Sequence, residues 1–318
     1  MGRYIAQRML QAIPMLVGIS FLAFVLLRLA PGGPVAIYAQ NPTMGEADLR
    51  RIEHSFGLDQ PIPIQYLKWA SGMARGDMGY SYRTGLPVTE VIRARIPATV
   101  QLMGTAYLIA ITLGVSIGIL SALKRYSLFD YLATTGAMVG LSIPTFWFGL
   151  MVIIFFAARL HWIPSGGVSS LGAPFSIQDR LRHLIGPAAV LGLSMTATWS
   201  RYTRSSVLEV IGQDYIRTAK AKGLRSRTVL VRHTLKNAMI PLVTLMGLEF
   251  RGLFSGALIT EAVFSWPGIG RLYVDSLDNQ DYSVILGLLL ITAVTVVIGS
   301  LLADILYAVV DPRIRLGA

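Results

Sequence analysis

Residues 98 to 123 read ATVQLMGTAYLIAITLGVSIGILSAL, a run without one charged side chain. A helix crosses the hydrocarbon core of a bilayer with about 20 mostly apolar residues, so this run alone commits the chain to a membrane. A second uncharged run spans 131 to 158, a third from 284 to 310 is interrupted only by Asp304, and an N-terminal run from Met9 ends at Leu27, before Arg28. Two weaker candidates are 184 to 200, rich in Gly, Ser, Thr and Met, and 238 to 260, which carries Glu249 and Arg251. Six crossings result, and the expected fold is an all-α polytopic membrane protein. Composition agrees: 53% of the residues are hydrophobic and 14% charged, where soluble domains carry about 25%. A cleaved signal peptide is the competing reading of the N-terminus, but its apolar core is too long and RLAPGGP is a poor cleavage site.

Orientation follows from where the positive charge lies. With the N-terminus on side one, the short side-one segments hold Arg3 and Arg8, Lys124 and Arg125, nine Lys/Arg between 201 and 237, and Arg313 and Arg315. The short side-two loops hold only Arg159, Arg180, Arg182 and Arg271. Cytoplasmic loops carry the excess of Lys and Arg, so both termini are expected in the cytoplasm. Trp162 and Trp266 then fall at outer ends of crossings and Trp199 at an inner end, where an amphipathic ring suits the headgroups; Trp147 falls mid-crossing.

The expected division is an N-terminal tail and first crossing (1–30), an extracytoplasmic subdomain (31–97), a five-helix core (98–310) that includes a cytoplasmic loop (201–237), and a cytoplasmic tail (311–318). PGGP, NP and QPIP break the outer subdomain into short pieces. Its stretch 64 to 75 places Ile64, Leu67 and Trp69 near helical spacing and is expected to lie along the membrane surface.

The loop 201–237 concentrates charge at +7. Residues 207 to 222 read as an amphipathic helix with Leu208, Ile211, Tyr215 and Thr218 on one face and Arg217 and Lys220 on the other. Gly223 is expected to end it in the left-handed conformation, with Arg217, Lys220 and Lys222 at the negative end of its dipole. Ser226 is expected to cap a second helix striped by Val231, Leu235 and Ala238, running to Ile240 and Pro241. From physics alone two readings stand: a partner-docking helix pair, or charges that enforce topology and attract anionic lipid.

The stretch RTAKAKG, with Ala219 and Gly223 in the Ala and Gly positions and Arg217 and Thr218 in place of the first two residues, resembles the EAA loop of binding-protein-dependent ABC transporter permeases. Pro241 lies eighteen residues beyond Gly223, farther than in the usual motif, and this long form is similar to the peptide and nickel branch. GLDQPIPIQYLKWASGMARGDMGYSYRTG, SIPTFWFGL, TEAVFSWPGIGRL and DILYAVVDPRIR resemble the B-type permease of dipeptide and oligopeptide importers, and the resemblance covers nearly the whole chain.

That resemblance implies a six-helix core of the MetI-like permease type. It implies a paralogous C-type permease, two ABC ATPase subunits and an extracytoplasmic binding protein as partners, with peptide as cargo and nickel or glutathione as alternatives. ATP and Mg would be bound by the ATPases, and no cofactor by this chain. The residues implied in ATPase coupling are Asp214, Tyr215, Arg217, Thr218, Ala219, Lys220, Ala221, Lys222, Gly223, Leu224, Arg225 and Arg227.

Other chemistry lacks its residues. There is no G-x-x-x-x-G-K-[ST] phosphate cradle and no H-E-x-x-H, and the serines of PSGG and FSGA lack the G-x-S-x-G elbow and its His and acid partners. Cysteine is absent and His54, His161, His183 and His233 are scattered, so neither disulfides nor a clustered metal site is suggested. The basic cluster lacks the interleaved aromatics of a nucleic-acid surface apart from Tyr215. An ion-coupled carrier stays open, because Glu249, Arg251 and Asp304 lie in or near expected crossings, where charge is costly. The expected path runs along crossings three to five past Ser194, Thr196, Thr198, Met246, Glu249, Arg251 and Ser255.

Overall fold

The computed structural model describes residues 2–29, 44–55, 57–249, 252 and 257–310. Every long element is helical, and the chain forms two compact units: Met1–Pro97 with Gly268–Val297, and Ala98–Pro267 with Ile298–Ala318.

In the first unit, α1 (Gly2–Leu29) is followed by α2 (Glu46–Ser55), α3 (Ile62–Ala74) and α4 (Val88–Arg93). The sequence returns to this unit with α14 (Ile269–Asp278) and the start of α15 (Tyr282–Val310). Helix α3 starts with Pro61 at its N-cap position and Pro63 in the first turn, where a missing N–H costs nothing. Its buried residues are Gln65 and Tyr66. Tyr66 packs with Phe24 and Leu286, flanked by Trp69, and its hydroxyl lies 2.9 Å from the Ser20 hydroxyl. Ile64 and Leu67 face outward, because the aromatic contacts with Phe21 and Phe24 choose the adjacent face. A second core joins Val88 and Ile92 to Ile269, Leu272, Val284 and Leu288. Asp281 closes this unit: it accepts from Ser81 Oγ at 2.5 Å and Tyr82 N at 3.1 Å.

The second unit holds α5 (Ile96–Leu123) from Ala98 onward, α6 (Leu128–Ser142), α7 (Thr145–Val152) and α8 (Ile177–Ile211). The expected straight crossing at 131–158 is bent by 99° between α6 and α7. Ile143 precedes Pro144 and is extended, with ψ 123°, because a proline disfavours helical geometry in the residue before it. Beyond the bend, Ile153–Arg159 widens into a π-helical turn. Trp147 therefore sits one turn past an elbow, half exposed, rather than midway along a rod.

Helices α5 and α8 approach closely because glycine lines their contact. A Cβ at Gly118 would lie 2.5 Å from Thr203 Cβ and 2.6 Å from Ser200 O, and one at Gly192 would lie 2.8 Å from Ile109 Cβ. A Cβ at Gly114 would collide with Trp199. The Gly114–Gly118 spacing is the small-xxx-small pattern by which membrane helices reach dispersion contact. Further on come α9 (Asp214–Ala221), α10 (Ser226–Thr228), a π-helical stretch Val229–Leu235, α11 (Lys236–Ala238), α12 (Ile240–Glu249) and α13 (Leu258–Val263).

Among the described residues, Gln7–Leu29, Val88–Leu123 and Tyr282–Leu302 are each long and apolar enough to cross a bilayer, and Leu128–Ser142 with Thr145–Arg159 adds a fourth if that bent pair is one broken span rather than a re-entrant loop. The expected crossing at 184–200 lies inside α8, whose Gly, Ser and Thr content lowers its hydropathy. The expected one at 238–260 begins with α12 and includes 250, 251 and 253–256, outside the described residues.

Candidate functional site

The loop between α8 and α12 is a folded unit with its own small core. Helix α8 ends at Ile211, and Gly212 and Gln213 break the chain before α9, so the single helix expected over 207–222 is two. The break resets the helical phase. Ile216 and Ala219 are buried against Val229 and Val210, whereas Tyr215 and Thr218, expected on the apolar face, are exposed.

Gly223 has the expected left-handed conformation, φ +75°. Leu224 N donates to Ala219 O at 3.4 Å and Gly223 N to Lys220 O at 3.0 Å. These two bonds form the Schellman closure, which satisfies helix-end carbonyls and turns the chain sharply.

The return limb departs from expectation twice. Ser226 begins α10 but makes no capping hydrogen bond; Arg225 occupies the cap position and its carbonyl accepts from Thr228 N and Val229 N. In the π-helical stretch Val229 and Thr234 are buried and Val231 is 56% exposed. The wider i to i+5 repeat aligns Val229 with Thr234, whose hydroxyl donates to Val229 O at 3.2 Å, and so rotates Val231 outward. Ala238 is buried as expected, and its carbonyl accepts from Ser206 Oγ at 2.7 Å. Asn237 Nδ2 donates to Tyr215 OH at 3.2 Å, which ties the two limbs.

Asp214, Arg217, Lys220, Ala221, Lys222, Leu224, Arg225 and Arg227 are all exposed. One tip therefore presents five cations. Arg217 meets Asp214 at 3.5 Å, an exposed pair of little energetic weight.

The expected path residues divide. Met246 and Glu249 share a cavity of about 270 Å³ with Gly104, Tyr107, Leu108, Ile111 and Trp199. Trp199 Nε1 donates to Glu249 Oε2 at 2.9 Å and Tyr107 OH to Glu249 O at 2.6 Å. Ser194, Thr196 and Thr198 do not line this cavity; Thr196 is buried and bonds back to Gly192 O at 2.7 Å. Arg251 and Ser255 lie outside the described residues, as does the side chain of Asp304 in α15.

Two tryptophans correct their expected roles. Trp199 is 2% exposed and Trp266 fully buried, with its Nε1 donating to Ala98 O at 2.8 Å; only Trp162, at 65%, has the expected exposure. Composition did not single out Tyr107 or Trp199 for the cavity, although an aromatic with a polar tip near Glu249 was the available signal.

Comparison with known proteins places this geometry in a family. Residues 114–316 match the family model for the binding-protein-dependent transport system inner membrane component, and residues 1–103 match its N-terminal companion. The chain belongs to this family. It is 46% identical over 316 residues to the oligopeptide transport system permease protein AppB of Bacillus subtilis, covering 99% of this chain and 100% of the relative. It is 39% identical over 336 residues to the dipeptide transport system permease protein DppB of Escherichia coli K12, covering 99% of each. The di/tripeptide transport system permease protein DppB of Pseudomonas aeruginosa is 39% identical over 338 residues, with 98% of each covered. The chain is thus a multi-pass inner-membrane permease component of an ABC importer, a transport subunit and not itself an enzyme. Family membership sets aside the ion-coupled carrier.

Proposed function

We propose that this permease carries peptides, pairs with a paralogous C-type permease to enclose their path, and takes its driving force from two ATPase subunits that bind ATP and Mg. An extracytoplasmic binding protein delivers cargo to the outer side, formed by 31–97 and the loops 159–183 and 262–283. Both termini and the loop 201–237 are cytoplasmic.

The observation that carries this reading is the loop's construction. Ile216, Ala219 and Val229 form a core that holds Arg217, Lys220, Lys222, Arg225 and Arg227 on an outward tip. A helix seated on its own core transmits displacement; a slack loop does not. Asp214, Tyr215, Thr218, Ala221, Gly223 and Leu224 complete the tip that docks on the ATPases. Met246 and Glu249 contribute to the path, and the small and hydroxylated residues Ser194, Thr196, Thr198 and Ser255, with Arg251, flank it.

Charge reversal at Arg217 and Lys220 tests the coupling role: it weakens ATPase co-purification and leaves the affinity of the binding protein for cargo unchanged. Normal association in that variant would overturn it. Cargo class is tested by offering the cognate binding protein peptides, a nickel chelate and glutathione, with peptides expected to bind.

A further inference from the structure

A cavity of about 220 Å³ lies between α5, α6 and α8, with Ser121, Thr134, Ala137, Met138, Arg201 and Arg204 in its wall. It shares no lining residue with the Glu249 cavity. A water in the liquid occupies about 30 Å³, so this space is larger than one water needs. Its wall has two chemistries. Toward Leu141 it is apolar, with Met138 61% and Leu141 44% exposed along the rim. The other end carries two guanidinium groups.

Arg204 gives Nε and Nη2 to Asp130, at 2.6 and 2.8 Å, and its Nη1 has no hydrogen-bond partner among the described residues. Arg201 is exposed, 5.9 Å from the Tyr202 ring centroid, and meets no carboxylate among the described residues. Nearby, Arg125 stacks on Tyr126 at 4.4 Å, and Tyr126 N donates to Asp130. Two cations thus line this end, and the one carboxylate there pairs with Arg204 alone, leaving the end positive. Ser121 is 1% exposed, and its hydroxyl has no hydrogen-bond partner among the described residues. Such an orphan carries a desolvation cost that a ligand oxygen would remove.

An apolar cleft ending in guanidinium groups matches an amphiphile with a negative head. We propose that this cavity binds an anionic glycerophospholipid of the adjoining leaflet, with its phosphate on Arg201 and Arg204. One acyl chain lies along Ala137 and Met138, and the Ser121 hydroxyl donates to a lipid oxygen. The assignment to the cytoplasmic leaflet rests on the proposed orientation, and that leaflet carries the anionic headgroups that basic pockets between membrane helices attract.

The test uses the assembled transporter, washed free of lipid in detergent and offered phosphatidylglycerol, phosphatidylcholine or inorganic phosphate, with retained lipid read by native mass spectrometry. Phosphatidylglycerol is expected to be retained and phosphatidylcholine not. Arg201→Gln should weaken retention about five-fold, the size expected for one basic residue at an anionic lipid. Arg232→Gln, the same charge change outside the cavity, should not. Ala137→Phe should displace the lipid by filling the wall, with no change of charge.

Equal retention of both lipids would overturn the proposal, as would full competition by inorganic phosphate, which would mark a site for a free anion. A cross-link from Ala137 to the paired permease in the resting complex would likewise overturn it. Orientation is read separately: the chain has no cysteine, so a single Ser226→Cys labelled by an impermeant reagent reports its side. Labelling from outside would overturn the leaflet assignment whatever lipid is retained.

Discussion

Trp199 in α8 donates its indole N–H to the carboxylate of Glu249 in α12, at 2.9 Å. This bond links the helix that leads into the charged loop with the helix that leads out of it, at a cavity also bounded by Tyr107 and Met246. A carboxylate at this depth requires a donor, and the indole meets that need with a side chain that is itself 2% exposed. Glu249→Gln keeps an acceptor for the indole and is expected to fold normally. Trp199→Phe leaves the carboxylate short of a donor and should destabilise by about 1–3 kcal/mol. Thermal unfolding of the two variants in detergent checks the order, and uptake by Glu249→Gln reports whether the charge itself serves transport.

The contact of α5 with α8 predicts a sharp dependence on side-chain size. Gly118→Val places atoms within 2.5 Å of Thr203 Cβ and 2.6 Å of backbone at Ser200, where neither neighbour yields easily. Overpacking of this kind costs about 1–3 kcal/mol and should lower the midpoint of thermal unfolding. Gly136 in α6 has nothing within 4 Å of a built Cβ. Gly136→Ala should therefore be neutral or stabilising by up to about 1 kcal/mol.

At Gly223 space is not the constraint, since a built Cβ meets nothing within 4 Å. The constraint is φ +75°, which costs a residue with a Cβ roughly 1–2 kcal/mol. Gly223→Val should distort the turn, reduce ATPase co-purification and slow uptake while membrane insertion stays intact. Gly223→Asn, which tolerates the left-handed region, should do so less. Normal coupling in the valine variant would show that the turn is dispensable.

The loop before α8 should loosen in acid. Asp179 accepts from Ser170 N and Ser170 Oγ, both at 2.7 Å, and these bonds hold its carboxyl below the usual carboxylate range. A depressed folded value means that the stabilisation is complete above the unfolded pKa, about 3.9, and is lost as pH falls through the folded value. Limited proteolysis of the 165–176 segment should accelerate over that window. Asp179→Asn should cleave faster at neutral pH and show a flatter profile.

The long crossings were legible because their signal is additive: an uncharged run such as 98–123 leaves a helix few alternatives, and α5 spans Ile96–Leu123. Local phase was less legible. The stripe expected from Leu208 to Thr218 presumed one unbroken helix, and the break at Gly212 and Gln213 moved the buried face to Ile216 and Ala219. A π-helical turn did the same to Val231, and its wider repeat leaves no mark in a 3.6-residue pattern. Pro144 was visible, but an apolar count does not register backbone direction, so the elbow after Ser142 was missed. Trp199 shows a further limit. Its place at the end of an apolar run suggested headgroups, whereas its burial depends on Gly114 of α5, far away in the chain.

Helix α8 runs for 35 residues, about 52 Å at 1.5 Å per residue, against a hydrocarbon thickness of about 30 Å. Its tight glycine-lined crossing with α5 lies well inside that length, and the helix continues on both sides into other contacts, Leu184 with Trp266 and Val207 with Ala238. A beam held near its middle acts as a seesaw: a tilt that lifts the end at Ile211 swings the end at Ile177 the opposite way. Trp199 and Glu249 sit beside the pivot, where the swing is smallest and leverage greatest.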